Sequence, residues 1–504
     1  MSAPFKPAPR LAKPQPRRDP SLPVTGPTPP SWGWRGSGKG RASHIAVPPR
    51  FQATTVQTCG LFPFTAGSGA PSVGVPIGRH MIWGEVVALD PIDWVRHNII
   101  TNPGIFVLGE PGIGKSAISK RIASGLIAFG VGVLSLGDLK GEYGPLVTAM
   151  GGQVVKIGWG LHTLNPLDSG PLGQALPHLE RTAPAKAATL RAEIRGRRLT
   201  LLLALCTIAR GSRGVPITDA EELVLGAALD VLDRRTGVQP IIPEVVAQIE
   251  AGDQELRHAV RARSETEYRE LTDGIVRTLA RISHGVLRGL FDGHTTAPVD
   301  MNAPAVSIDI SALDKASDDV VAAALQCTWA YGFGLVDAAR AVGNDRPYLT
   351  IQDEMWRSLR AAPGLVDRTD RLTRLNRHQG VGSIITTHSL SDLEALPTEE
   401  DRAKARGFVE RSAVTILGAL PDLELARVHA VRALTSSERE FVASWSAPES
   451  WATDRPHPGR GKYLIKCGGR LGIPVEMHLT PREIDLYNTD AAIRGHKSTT
   501  VMGA

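Results

Sequence analysis

Two short stretches place glycines and a lysine at the spacing that cradles a phosphate. Gly109–Ser116, GEPGIGKS, fits the pattern G-x-x-x-x-G-K-[ST] at every position. Gly33–Gly40, GWRGSGKG, fails at the last one, where Gly40 stands in place of a metal-binding hydroxyl. Such a loop needs a buried strand before it to fix it. It also needs a helix after it whose N-terminal N–H groups point at the phosphates. GIFVL at 104–108 supplies the strand, and Ile118, Ile122 and Leu126 recur on one face of a helix opening near Lys115. Gly33–Gly40 has no apolar strand before it and sits in a Pro/Gly-rich stretch. The nucleotide is therefore assigned to Gly109, Glu110, Pro111, Gly112, Ile113, Gly114, Lys115, Ser116 and Ala117. The glycines let the backbone curl closely. Lys115 is expected to reach the β- and γ-phosphates, and Ser116 to bind Mg²⁺ through its hydroxyl.

A phosphate loop also needs an acid at the end of a second buried strand. YLTIQDEMW (348–356) supplies two. Asp353 is expected to hold Mg²⁺ through water and Glu354 to act as general base on the attacking water. The plainer reading of this pair is a surface acidic cap on a helix. SIITTHSLSDL (383–393) reads as the next strand, with Thr387 and His388 at its C-terminal end, where a polar side chain can sense the γ-phosphate. His388 as a merely exposed or capping histidine is the alternative. No [NT]-K-x-D guanine-reading motif is present, which favours ATP over GTP.

Strands are also expected at 131–136, 152–158, 306–310, 414–417 and 462–466, mostly separated by helical stretches. That alternation predicts an α/β fold with a mainly parallel sheet. Between 171 and 300 the pattern is helical. Leu223, Val224, Ala227, Ala228, Val231 and Leu232 form one stripe, preceded by the capping box Thr218–Glu221. Ile275, Leu279, Ile282, Val286 and Leu290 form a second. The chain thus reads as an α/β domain, 51–170 and 301–490, interrupted by an all-helical insertion at 171–300, with a C-terminal tail at 491–504.

The net charge of +6 is a property of one end. The first 50 residues hold nine Lys/Arg against one acid, Asp19, while the remainder holds 48 basic and 50 acidic residues. With twelve prolines those 50 residues cannot build a core and read as a disordered tail. The alternative is a polybasic arm on nucleic acid or anionic lipid. Cys59, Cys206, Cys327 and Cys467 form no C-x-x-C pair, which argues against zinc and for a reducing, cytoplasmic setting. No run of about 18 apolar residues predicts a membrane span. Any membrane association is expected through partners, at the inner face of the cell membrane.

Several stretches in order resemble one family. DLKGEYGPLVTAMGGQVVKIG (138–158) and LNPLD (164–168) follow the phosphate loop, then DEMWRSL (353–359) and RLNRHQGVGSIITTHSLSDL (374–393). With GRGKYLIKCGGRLGIPVEMHLTPRE (459–483) they resemble the conjugative transfer ATPases of type IV secretion systems, relatives of the HerA/FtsK pumping ATPases. The resemblance spans 55–490. It implies a RecA-like P-loop domain with a helical insertion, ATP hydrolysis with Mg²⁺ and a ring-shaped homo-oligomer, usually a hexamer. It also implies a place beside the secretion channel or coupling proteins at the membrane. The family's sensor strand usually ends Thr-Gln, whereas this one ends Thr387-His388. Ring ATPases of this kind offer an arginine to the neighbouring subunit's γ-phosphate. Arg374 and Arg377 are the first candidates, with Arg470 third.

Three readings follow. The first is a motor that powers transfer of DNA or protein. The second is a DNA-stimulated translocase, which predicts steep salt dependence. The third is an ATP-dependent ring scaffold with little turnover.

Overall fold

The computed structural model describes residues 70–353 apart from 212–214 and 236–238, residues 380–446 apart from 395 and 397, and residues 457–487. All of them belong to one unit, 67–504. The basic tail, Gly33–Gly40, Cys59, Glu354, Arg374, Arg377 and the stretch 491–504 lie outside the described residues.

Among the described residues, eleven strands form one sheet. They are β1 (Val75–His80), β2 (Val86–Leu89), β3 (Gly104–Leu108), β4 (Gly132–Asp138), β5 (Gln153–Lys156) and β6 (Ala305–Asp309), then β7 (Tyr348–Gln352), β8 (Val381–Thr387), β9 (Val414–Leu417), β10 (Lys462–Cys467) and β11 (Ile473–Met477). Their order is β2-β1-β11-β10-β9-β3-β8-β7-β4-β6-β5. From β9 to β5 every neighbouring pair is parallel. From β9 through β10, β11 and β1 to β2 the pairs are antiparallel. Every residue of β3, β4, β6, β7 and β8 is buried, which is why these strands read as continuous apolar runs. The fold is α/β with a mostly parallel sheet, as expected.

The sequence reading had no counterpart for β1, β2 and β11. Pro76 and Gly78 interrupt β1, and Pro474 interrupts β11. Gly78 lies where a Cβ would overlap the Glu476 backbone of the paired strand, so the absence of a side chain lets β1 and β11 approach.

The helices are α1 (Pro91–Arg96), α2 (Lys115–Ala128), α3 (Gly144–Ala149), α4 (Gly170–Thr182), α5 (Pro184–Arg210), α6 (Asp219–Arg234), α7 (Ile242–Ala251), α8 (Gln254–Ala259) and α9 (Glu265–His284). After β6 come α10 (Asp318–Ala341), α11 (Ser391–Glu394), α12 (Glu399–Arg411), α13 (Asp422–Val431), α14 (Ser436–Ala443) and α15 (Pro481–Tyr487). The capping box at the start of α6 forms, with the Glu221 amide donating to Thr218 Oγ1 and the Thr218 amide to the Glu221 carboxylate. Two details of the helical stripes differ from expectation. Leu223 is 52% exposed, so the buried stripe of α6 begins at Val224. In the second stripe, α9 ends at His284, Gly285 caps it, and Val286 is 65% exposed. Leu290 is buried from a turn instead. α10 is long and apolar enough to cross a membrane by composition, but 89% of that window is buried, as in a core helix packed on β4 and on α4 and α5.

Candidate nucleotide site

The parallel half of the sheet brings Lys115, Ser116, Asp353, Thr387 and His388 to one edge. Leu108 at the end of β3 is in register with Thr387 at the end of β8. Gln352 at the end of β7 pairs with Ile385 of β8. Asp138 at the end of β4 pairs with Asp309 of β6. The phosphate loop leaves β3 at this edge.

Gly112 and Gly114 have φ of +82° and +101°, a left-handed backbone that glycine adopts without cost. Between them Ile113 is fully buried. Its Cδ1 fills space that a Cβ on Gly109 or Gly418 would occupy. The Gly418 amide donates to Leu108 O at 2.8 Å and the Glu110 amide to Ala419 O at 3.0 Å, so the end of β9 holds the start of the loop. Gly114 is the N-cap of α2 and no side chain caps it; the first turn carries no acid. The N–H groups of the first turn and the positive end of the helix suit an anion.

Lys115 turns back over its own loop. Its Nζ donates to Gly109 O at 2.6 Å and Glu110 O at 3.1 Å and stands 2.8 Å from Nδ1 of His388. With Lys115 charged, Nδ1 accepts, which places the ring proton on Nε2. The expected sensor and the expected phosphate-binding lysine are thus in direct contact. Ser116 is part-buried at the start of α2, and Asp353, directly after β7, is part-buried too. Arg470 lies on the exposed β10–β11 turn. Since Cys467 pairs with Val414 at the start of β9, that turn is at the opposite edge of the sheet from the phosphate loop.

Beneath the loop is a charged cluster that sequence reasoning missed. Lys120, five residues past Lys115 on α2, is fully buried. Its Nζ is 3.7 Å from Glu142 Oε2, 3.5 Å from Tyr487 O and 5.7 Å from the centre of the Tyr143 ring. Burial pulls its pKa down, opposed by the carboxylates of Glu142, Asp138 and Asp353. Asp138 is buried as well. Burial raises its pKa, the Tyr143 and Glu142 amides oppose the shift, and Asp309 adds to it. The available signal was GEYG (141–144), a charged and aromatic turn directly after a buried strand.

No family model and no curated protein matches the chain. Among solved structures, VirB4 of Thermoanaerobacter pseudethanolicus aligns with a TM-score of 0.62 at 17% identity, over 83% of this chain and all of that one. The chain has the fold of VirB4. VirB4 is one of the type IV secretion ATPases that the ordered motifs resemble. The bacterial conjugative coupling protein TrwB, in its unbound form, aligns at 11% identity over 82% of this chain and 91% of its own, with a TM-score of 0.46.

Proposed function

We propose that this chain binds ATP with Mg²⁺ at Gly109–Ser116 and hydrolyses it as the motor of a conjugative or type IV secretion-type system. The observation that carries this reading is the contact of Lys115 with His388, with Asp353 at the same end of the sheet, beside a helix N-terminus that no side chain caps, on the VirB4 fold.

The residues fit their assigned work. The glycine-rich loop and the first turn of α2, which carries no acid, supply donors for the phosphates. Ser116 and Asp353 are the pair that would hold Mg²⁺, which screens the phosphate charges when bound. Lys115 would exchange the Gly109 and Glu110 carbonyls and His388 for the β- and γ-phosphates. That exchange would free His388 to hydrogen-bond the terminal phosphate. Glu354 takes the proton from the attacking water, and Arg374 or Arg377 of a neighbouring copy stabilises the charge on the transferred group.

The same reading makes the chain a homo-oligomer, a hexamer by family resemblance. It works at the inner face of the membrane beside a secretion channel or coupling protein and moves DNA or protein. Helices α4–α9, between β5 and β6, would be the inserted helical domain of such a motor.

Titration with a fluorescent ATP analogue, wild type beside Lys115→Ala, tests the site. Saturable, Mg²⁺-dependent binding lost in the variant supports it. Equal binding by both, or by neither, refutes it.

A further inference from the structure

Gly109–Ser116 is held from behind by a strand about 350 residues later in the chain. The Gly461 amide, just before β10, donates to Ile113 O at 3.0 Å. The hydroxyl of Tyr463, on β10, donates to Gly114 O at 2.7 Å. Tyr463 is fully buried, and burial pushes the pKa of its hydroxyl well up, so it stays a donor. A Cβ on Gly114 would sit 2.7 Å from that hydroxyl, so the contact requires glycine there for space as well as for φ.

The direction of these bonds has a consequence. A trans peptide is planar, so the C=O of one residue and the N–H of the next point opposite ways. Ile113 O is tied to Gly461, and Gly114 O to Tyr463 as well as to the Ile118 amide of α2, so the N–H groups of Gly114 and Lys115 point away from β10. Those are two of the donors that a phosphate loop presents to its ligand.

Resting on the nucleotide reading above, we propose that Tyr463 is a positioning residue of the phosphate site. Together with Gly461 it aims the loop's N–H groups, which makes the C-terminal antiparallel strands part of the nucleotide-binding apparatus. The ligand class is a nucleoside di- or triphosphate, bound through its phosphates.

The test is ADP and ATP binding by full-length wild type, Tyr463→Phe and Lys115→Ala, with melting midpoints taken with and without ADP. Wild type should bind, and Tyr463→Phe should bind about three- to tenfold more weakly, the loss of one hydrogen bond's worth of orientation. Its ADP-induced rise in melting midpoint should shrink. A residue that only packs the core would lower the midpoint equally with and without ADP and leave affinity unchanged, and that result overturns the proposal. If wild type binds no better than Lys115→Ala, the nucleotide reading itself has failed and this inference goes with it. Should Tyr463→Phe not fold, amide exchange of wild type decides. Peptides covering 458–465 should gain protection with ADP, and no gain refutes the coupling.

Discussion

Nζ of Lys115 lies 2.8 Å from Nδ1 of His388, across the junction of β3 and β8. A lysine so placed is held in the loop, and a phosphate must outcompete two carbonyls and an imidazole for it. His388→Ala is expected to leave ATP affinity within a few-fold while lowering kcat by about 10²-fold, the usual cost of a donor to transition-state charge. His388→Gln, with both an acceptor and a donor, should retain most of the turnover. Steady-state kinetics of the two variants decide this. Equal losses in both would contradict a sensing role.

Gly418 sets the position of the loop through Ile113. A Cβ there would overlap Ile113 Cδ1, so Gly418→Ala should push the loop off β9 at a cost of about 1–3 kcal/mol and weaken nucleotide binding. Ile113→Val removes the overlapping methyl. The double variant should therefore recover affinity that Gly418→Ala loses, as read by ATP titration.

Lys120 and Glu142 form a buried pair under the site. Lys120→Met leaves carboxylates without their cation and should cost about 3–5 kcal/mol by denaturant unfolding. Adding Glu142→Gln should return part of that, with a coupling of about 0.5–3 kcal/mol between the positions.

A second buried pair anchors β10. Lys466 Nζ is 2.8 and 2.9 Å from the two carboxylate oxygens of Glu438. Burial opposes ionisation of Glu438, but Lys466 and the Thr435 and Gly472 amides outweigh it, so its pKa lies below the ordinary 4.5. A depressed carboxyl pKa stabilises the fold above the unfolded-state value, and that contribution is lost as pH falls through the folded one. Wild type should therefore exceed Lys466→Met in unfolding free energy at pH 7, and the margin should shrink below pH 4.5. A margin independent of pH would show that the pair contributes packing alone.

What the sequence made legible follows from the range of each signal. The phosphate loop, its strand and its helix lie within 25 consecutive residues, so their joint pattern is local. The buried strands β4, β6, β7 and β8 announce themselves as apolar runs because both faces are covered. Pro76, Gly78 and Pro474 hid β1 and β11, whose pairing depends on each other rather than on propensity. Lys120 reads as a surface charge on an amphipathic helix, and only the fold brings Glu142 to it. Tyr463 looks like one more apolar strand residue, since nothing local ties it to Gly114. Glu354, Arg374 and Arg377 remain readings of the sequence, outside the described residues.

The central claim is ATP hydrolysis by an acid that follows Asp353. The direct measurement is steady-state ATP turnover and ATP affinity of wild type beside Glu354→Gln, with and without DNA at low salt. The account predicts turnover by wild type without DNA. It predicts a fall of about 10²–10⁴-fold in Glu354→Gln with ATP affinity retained. Turnover unchanged by the substitution, or no turnover in wild type above a Lys115→Ala control, would contradict it.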